Sequence, residues 1–274
     1  MSFIRPLFAG LALAACLAVP GQAADRAKLA AFMEVTGFDV ALDSLRLSAG
    51  QAPSMLGLSE ENFGADWTRL ADDVFASAGL RSDALDILEQ TMDDDMLNHA
   101  ADFYASDLGQ RLVAAENEAH MDDSEQSRLI GEELAAELIA DDSPKIQYFK
   151  DMSSAIGSIE NSIRSVTEVQ VRFLMAAQGA GLLDTEWNEE ELRTVLLSRA
   201  EEMEQAMIVG SVTNAAYTYR DFSAEEMRAY LEALREPLMQ RVYELMNAVQ
   251  FQLQADRFEI LAARMVDLYP QQDI

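Results

Sequence analysis

Cysteine is almost absent from this chain, which has a single one, Cys16, among 274 residues. A lone cysteine excludes a disulfide within the chain. Cys16 also lies in a segment, residues 1–23, that we expect to be removed on export, so the mature protein would have no thiol nucleophile and no cysteine metal site. Because 50% of the residues are hydrophobic, a buried core can stabilise the fold without such bridges.

Basic residues are also scarce. The sequence has 20 Lys and Arg against 48 Asp and Glu, which gives a formal net charge of −28. Such a chain repels nucleic acid and anionic lipid headgroups, so neither is expected as a partner. The only lysines are Lys28, Lys145 and Lys150. Nearly all positive charge is therefore arginine, which favours forked pairing with carboxylates on helix faces.

Histidine occurs only as His99 and His120. Asp95 precedes His99 by four residues and Asp102 follows it by three, so this set shares one helical face and could bind a divalent metal or a small cationic ligand. Neither histidine has the Glu-x-x-His spacing of a di-iron bundle or belongs to a His-Glu-x-x-His motif. Because carboxylates are abundant, an acidic neighbour is expected by chance. We therefore predict no metal site and keep the His99 set as the alternative.

The common catalytic motifs are missing as well. There is no phosphate-binding glycine loop, no Gly-x-Ser-x-Gly elbow and no dinucleotide fingerprint. The acidic runs, of which 93–95 is one, lack the alternating ligands and turn glycine of a calcium loop. They fall at predicted helix starts or breaks, where the helix dipole favours negative charge. The sequence thus predicts a non-enzymatic protein without a cofactor; a hydrolase with a carboxylate pair rests only on the abundance of Asp and Glu.

The N-terminus has the three parts of a secretory signal. Arg5 is followed by an apolar run over residues 7–19 and then by small residues up to Ala23. The run is too short to span a bilayer, so residues 1–23 are predicted to be a signal peptide and the mature protein to be periplasmic. Alternatively, Cys16 ends a Leu-Ala-Ala-Cys sequence that resembles a lipoprotein lipobox, and a lipid on this cysteine would anchor the protein. No later apolar run reaches the roughly 18 residues of a membrane helix.

The pattern after Ala24 is helical almost throughout. Ala, Leu, Glu, Met, Gln and Arg dominate, apolar residues recur at three and four, and strand patterns are missing. The sequence predicts an all-α helical bundle, built from two related helical halves over residues 24–142 and 143–274. At the boundary Ser143 can cap a helix that has Pro144 at its first position.

Several helix limits follow from local signals. One long helix is predicted from Ile146 to about Gln178, ended by the following glycines. Ser82 and Asn188 mark further helix starts, and Ser223 starts a helix with the capping box of Ser223 and Glu226. The apolar stripe of the last helix favours closure of the protein's own bundle. A groove or dimer interface is the alternative, which leaves a homo-oligomer open.

The two halves are similar in sequence. When the stretch from Asp93 is set on the stretch from Ser223 without gaps, at an offset of 130, Gln110 falls on Gln240 and the arginine after each also coincides. This indicates an internal duplication. Coincidence between two amphipathic helices is the alternative.

Each aligned stretch contains a predicted corner between two helices. In the second half, Pro237 cannot continue the preceding helix but can begin a new one. In the first half, the side chain of Ser106 or Asp107 does the same by capping. Gly109 allows a neighbouring backbone to come close.

The aromatic pair Phe103 and Tyr104, just before the first corner, is predicted to pack there. The adjacency of aromatic residues, Ser, Asp and Gly suggests an active-site motif. Comparison with the second half favours an architectural one instead.

At these corners the sequence resembles a family of secreted bacterial helical proteins known only as a domain of unknown function, numbered twenty fifty-nine. Its usual core is Phe-Tyr-x-Ser-Pro-x-Gly-Gln after a Ser/Thr-x-x-Glu helix start. The matching residues are Phe103, Tyr104, Ser106, Gly109 and Gln110 in the first half and Ser223, Glu226, Pro237 and Gln240 in the second. Asp107 replaces the proline in the first half, and Leu234, Glu236 and Met239 depart from the pattern in the second. The resemblance implies a periplasmic all-α protein and no catalytic residues.

These observations favour an exported, non-enzymatic helical protein that binds another protein or an envelope component in the periplasm. The alternative hypothesis is a protein that binds a divalent metal or a small ligand at the acidic site around His99.

Overall fold

The computed structural model describes residues 25–58, 63–183 and 186–268. The predicted signal peptide, residues 1–23, and Cys16 lie outside these ranges. Within them the chain forms helices and turns and no strand. This confirms the all-α fold class, which the apolar spacing of the sequence predicted.

The helices are numbered in chain order. Those before Ser143 are α1 (Arg26–Thr36), α2 (Phe38–Ser48), α3 (Ala52–Met55), α4 (Ala65–Val74), α5 (Ser77–Thr91), α6 (Asp94–Tyr104), α7 (Asp107–His120) and α8 (Glu125–Ala140). Those after it are α9 (Lys145–Ile156), α10 (Ile159–Gly179), α11 (Glu189–Leu197), α12 (Ala200–Thr218), α13 (Ala224–Leu234) and α14 (Pro237–Met265). None of these helices is both long enough and apolar enough to cross a membrane.

The last helix, α14, lies at the centre of the fold. It packs against α10, α6, α4, α5 and α9. Its buried residues recur at three and four along much of its length, among them Met239, Val242, Met246, Val249 and Leu253. One connected core of buried side chains contains residues of both halves. The apolar stripe of the last helix therefore closes the protein's own bundle.

Two sequence-based helix limits are wrong. The helix predicted from Ile146 to Gln178 is two helices, because Gly157 is extended and the Ser158 side chain accepts the amide proton of Asn161 to begin α10. Ser82 lies inside α5 rather than at its start. Apolar periodicity continues across both places, and only the backbone geometry distinguishes them.

The two predicted corners have the same backbone geometry at an offset of 130. After α6, Ala105 is helical and Ser106 extended (φ −68°, ψ 161°), and after α13, Arg235 is helical and Glu236 extended (φ −61°, ψ 132°). Ser106 Oγ accepts the amide proton of Gly109 at 3.1 Å, whereas Pro237 begins α14 without a side-chain cap. A Cβ added at Gly109 would lie 2.3 Å from the Phe103 carbonyl oxygen, so α6 and α7 meet where only glycine fits.

Two ion pairs also connect the two halves near the corners. Arg111, after the first corner, contacts Glu226 at 2.5 Å, and Arg241, after the second, contacts Asp93 at 3.3 Å. In each case the arginine of one half reaches the start of a helix in the other half. The helix packing is also similar: α1 packs on α6 in the first half, and α9 packs on α13 in the second. Duplication of the halves stays a prediction with which these paired contacts agree.

The contact between α8 and α12 depends on Gly131. A Cβ at this position would lie 2.6 Å from the carbonyl oxygen of Thr213, a backbone atom of α12. Gly131→Ala should therefore lower the free energy of unfolding by about 1 to 3 kcal/mol, because the helices must separate. Gly210 of α12 is the matched control, since nothing lies within 4 Å of its added Cβ. Gly210→Ala should raise stability by about 0.5 to 1 kcal/mol. Urea unfolding monitored by circular dichroism measures both, and equal effects would contradict the close approach.

Candidate functional site

A cavity of about 410 Å³ lies among α7, α9, α12, α13 and α14, beside the junction of α1 and α2. Its apolar walls include Phe149 and Met152 of α9 and Met246 of α14. Polar side chains line it from several directions, namely Glu116, Asn117, Ser153, Ser211, Asn214, Tyr219, Tyr230, Tyr243, Asn247 and Gln250. Apolar walls with a few polar groups are typical of cavities that bind small molecules.

Glu116 of α7 is held in this cavity by two tyrosine hydroxyls. Tyr219 donates to Glu116 Oε1 at 2.6 Å and Tyr230 donates to the same oxygen at 2.8 Å. Among the described residues, Oε2 accepts no hydrogen bond and Glu116 forms no ion pair. A carboxylate can accept about four hydrogen bonds. The geometry therefore leaves acceptor capacity on a fixed carboxylate that lines a cavity.

A triangle of tyrosine hydroxyls lies behind Glu116. The hydroxyls of Tyr104 and Tyr243 are each 3.1 Å from that of Tyr230 and in contact with one another. Tyr230 donates its hydroxyl proton to Glu116. Only the hydroxyl protons of Tyr104 and Tyr243 are therefore left for the three hydroxyl–hydroxyl contacts of the triangle. Tyr104 and Tyr230 are each 2% exposed, so this network is fixed inside the core rather than by solvent.

Burial sets the protonation of these groups. It raises the pKa of Glu116, and the hydrogen bonds from Tyr219 and Tyr230 oppose that shift. Burial together with the charge of Glu116 raises the pKa of both tyrosines well above 10.0. They stay protonated donors at any ordinary pH.

Lys145 fixes the position of Tyr219. It is one of three lysines in the chain and only 8% exposed. Its Nζ donates to the carbonyl oxygens of Tyr219 and Phe222, each at 2.9 Å, beyond the end of α12. Burial lowers the pKa of Lys145, which Asp221 and Glu226 oppose. A cation at the last carbonyls of a helix is favoured by the helix dipole, so Lys145 stabilises the turn that presents Tyr219 to Glu116.

Asn117, also a lining residue, has an unsatisfied acceptor. Its Oδ1 is buried and has no hydrogen-bond partner among the described residues. It lies against Gly37, whose φ of 71° is left-handed and whose added Cβ would be 2.4 Å from Oδ1. The close approach of the α1–α2 junction thus encloses an unsatisfied carbonyl beside Glu116. Buried polar atoms without partners are uncommon and are typical of sites that hold a ligand or water.

The first predicted corner contributes one residue to this network. Tyr104, predicted to pack, also hydrogen bonds within the triangle behind Glu116. Phe103 stacks its ring on Tyr230, with ring centres 5.8 Å apart. The remaining motif residues lie at the corners and helix starts and do not line the cavity; they are Ser106, Asp107, Gly109, Gln110, Ser223, Glu226, Pro237 and Gln240.

The alternative set around His99 lies apart from the cavity. Asp95 and Asp102 are exposed on α6 and His99 is half-buried. In the parts of the chain that the structure describes, no group of three or more His, Cys, Asp or Glu residues is arranged to hold a metal ion. His120 lies at the rim of the cavity, where burial lowers its pKa.

The stretch that carries both the first corner and Glu116 runs from α5 to α8. Residues 79–139 match the family model DUF2059, described as an uncharacterized protein conserved in bacteria. The resemblance recognised at Phe103 to Gln110 is thereby confirmed for this stretch. The DUF2059 match contains Tyr104, Glu116 and Asn117, whereas Tyr219, Tyr230 and Tyr243 lie beyond it. No curated protein and no solved structure matches the chain.

Sequence reasoning missed Glu116 as a site residue. The spacing of Glu116 along α7 was the signal that could have identified it. Gly109, Leu112 and Val113 are the buried residues of α7, and Glu116 follows Leu112 by four, so it continues their face. A carboxylate on the inward face of a DUF2059 helix indicates a buried polar site. The tyrosines that donate to it could not be predicted, because Tyr219 lies in the turn after α12 and Tyr230 lies in α13.

The raised pKa of Glu116 makes the stability of the unliganded protein depend on pH. The folded state binds this proton more tightly than the unfolded chain does. The resulting stabilisation is present below the ordinary pKa of 4.5 and is lost as pH rises through the folded pKa. Glu116→Gln cannot ionise, so the unfolding free energy of the wild type minus that of the variant should fall as pH rises from the ordinary pKa of 4.5 through the raised pKa of folded Glu116 and stay level above it.

Urea unfolding of both proteins at each pH measures this difference. The other carboxylates titrate in both proteins and cancel in the subtraction. A difference that stays constant, or that grows as pH rises, would show that burial does not raise the pKa of Glu116.

Proposed function

We propose that this protein is exported and acts in the periplasm as a non-enzymatic binding protein, which holds a small envelope-derived ligand in the cavity at Glu116. The observation that carries the proposal is the fixed carboxylate in a cavity of about 410 Å³, with one oxygen held by two tyrosines and the other without a hydrogen bond among the described residues. The proposal keeps the small-ligand hypothesis of the sequence but moves its site from His99 to Glu116.

The size and lining of the cavity support a small organic ligand. Pockets for such ligands typically enclose about 300 to 1,000 Å³ and combine apolar walls with a few placed polar groups. Here the polar groups come from α7, α9, α12, α13 and α14, and the walls from Phe149, Met152 and Met246. The tyrosine network holds Glu116 in place before a ligand arrives. Such preorganisation lowers the entropy cost of binding.

Two aliphatic hydroxyls of the lining are not arranged as nucleophiles. Thr36 and Ser211, which line the cavity, donate to carbonyls of their own helices, those of Phe32 and Ile208. Their hydroxyl protons are therefore committed to the backbone. A nucleophile would instead be hydrogen bonded to a base within the site.

A protein partner is a second candidate, favoured by exposed apolar side chains. Ile139 of α8, Val195 of α11 and Val209 of α12 are 61%, 50% and 64% exposed. Single exposed apolar residues are ordinary on a folded surface, so the cavity supports the first candidate better. Crosslinking in the periplasm, followed by identification of the bound protein, tests the second.

Filling the cavity should abolish ligand retention. Ser153 of α9 lines the cavity, whereas the next residue, Ser154, is exposed on the same helix. We expect the wild type and Ser154→Trp, purified gently from the periplasm, to retain a small molecule in native mass spectra. Ser153→Trp should lose it, because the indole occupies the ligand volume. Circular dichroism verifies that both variants fold.

The same purification tests export. A mature chain that begins at Ala24 supports the signal peptide, and a chain that begins at a lipid-modified Cys16 supports the anchored alternative. An uncleaved chain confined to the cytoplasm would contradict both. If neither the wild type nor Ser154→Trp retains or binds any small molecule, the binding function itself is wrong.

A further inference from the structure

The charged groups at the cavity are of one sign. Among its lining residues, all of which the structure describes, the ionisable acids are Glu116 and Asp122, and no lysine or arginine is present. Hydrogen bonds from Ser124 lower the pKa of Asp122 to about 2, so it is ionised. Burial lowers the pKa of His120, so its imidazole is neutral at neutral pH. The lining therefore carries the negative charge of Asp122 and, above its raised pKa, that of Glu116, without a compensating cation.

Glu116 differs in this respect from the carboxylates that pair with arginine across helix contacts. Arginines pair with carboxylates across many helix contacts, as Arg172 does with Asp256 at 2.6 Å and Arg257 with Asp83 at 2.5 Å. Glu116 contacts only hydroxyls among the described residues. Glu116 is half-buried, and a carboxylate partly removed from water without a cation costs free energy that pairing would recover.

The unsatisfied atoms of the cavity are acceptors. Glu116 Oε2 accepts no hydrogen bond from the described residues, and the adjacent Asn117 has a buried Oδ1 without a partner. An ammonium group donates up to three hydrogen bonds and accepts none. A ligand with such a group would donate to Glu116 Oε2, whereas an anion or a pure acceptor could not.

The walls accept the rest of such a molecule. Phe149, Met152 and Met246 supply apolar surface, and the rings of Tyr219 and Tyr243 line the same space. Aromatic faces attract cations in addition to packing against apolar groups. The lining thus suits a molecule with a cationic end and an apolar body.

We propose that the ligand is a small organic cation, an amine with an apolar body, whose ammonium group pairs with Glu116 Oε2. This inference rests on the proposed binding function and narrows it to a ligand class.

Matched amines and alcohols test the ligand class. The probes are butylamine, hexylamine and 2-phenylethylamine, each compared with the alcohol of the same carbon skeleton by isothermal titration calorimetry at neutral pH. We expect at least one amine to bind the wild type about tenfold or more tightly than its alcohol, because only the ammonium forms a charge-assisted hydrogen bond. The preference should disappear in Glu116→Gln, which keeps the shape of the side chain.

Ser154→Trp should keep the preference for amines and Ser153→Trp should bind neither class. The proposal is overturned if no amine binds, if the alcohols bind as tightly, or if the preference survives in Glu116→Gln. The wild-type comparison stands even if Glu116→Gln fails to fold. A neutral or acidic molecule identified by native mass spectrometry would refute the cation while leaving the binding function intact, so the two failures are distinguishable.

Discussion

Phe103→Pro should lower the free energy of unfolding by about 3 kcal/mol or more, whereas Asp107→Pro should leave it nearly unchanged. Phe103 lies in the last turn of α6, where its amide belongs to the helix ladder and a proline ring would clash with the preceding turn. Asp107 is the first residue of α7, a position at which proline costs little because the amide needs no helix partner.

The residue before Asp107 is already suitable for a following proline. Ser106 has φ −68° and ψ 161°, within the extended region that proline demands of its predecessor. The second corner places Pro237 at the equivalent position, after Glu236 with φ −61° and ψ 132°. Asp107→Pro therefore gives the first corner the proline that the second corner already has at the equivalent position.

Urea unfolding monitored by circular dichroism measures both variants. Phe103→Ala is the control for the lost ring, because Phe103 stacks on Tyr230. The excess loss in Phe103→Pro over Phe103→Ala is the backbone effect. Equal destabilisation by the two proline variants would refute the helix corner between Tyr104 and Asp107.

Lys145→Met should lower the free energy of unfolding by about 2 to 3 kcal/mol, with Lys150→Met as the matched control on the same helix. Methionine keeps the apolar stem of Lys145 but removes the donor to two carbonyl oxygens. Losing a charged donor and leaving buried acceptors unpaired costs about this amount. Lys150 is exposed, so its replacement should change stability by less than about 0.5 kcal/mol.

Chemical denaturation measures the loss, and calorimetry with the amine probes measures its effect on the site. Because Lys145 fixes the turn that carries Tyr219, we expect Lys145→Met to weaken amine binding and Lys150→Met to leave it unchanged. Wild-type stability and affinity in Lys145→Met would show that Tyr219 is positioned without this lysine.

The helix corners were largely predictable, because local chemistry decides them. Ser223 with Glu226 is a capping box whose two hydrogen bonds join residues three apart, and Pro237 starts a helix for reasons contained in its own ring. The break at Gly157 was not predictable from periodicity, since apolar residues continue at helical spacing on both sides. Tyr104 was placed correctly at the corner, but its hydroxyl partners lie on α13 and α14.

The sequence alone determined the all-α class, the helix starts at the two corners and the acidic character, since these depend on residue type and on neighbours within one or two turns. Only the tertiary structure decided the site. Glu116 meets Tyr219 and Tyr230, which lie 103 and 114 residues away along the chain, and no local pattern links positions that distant. Their meeting depends on how α12 packs on α7 and α9 and how α13 packs on α9, because burial and the absence of a cation partner are properties of the packed core.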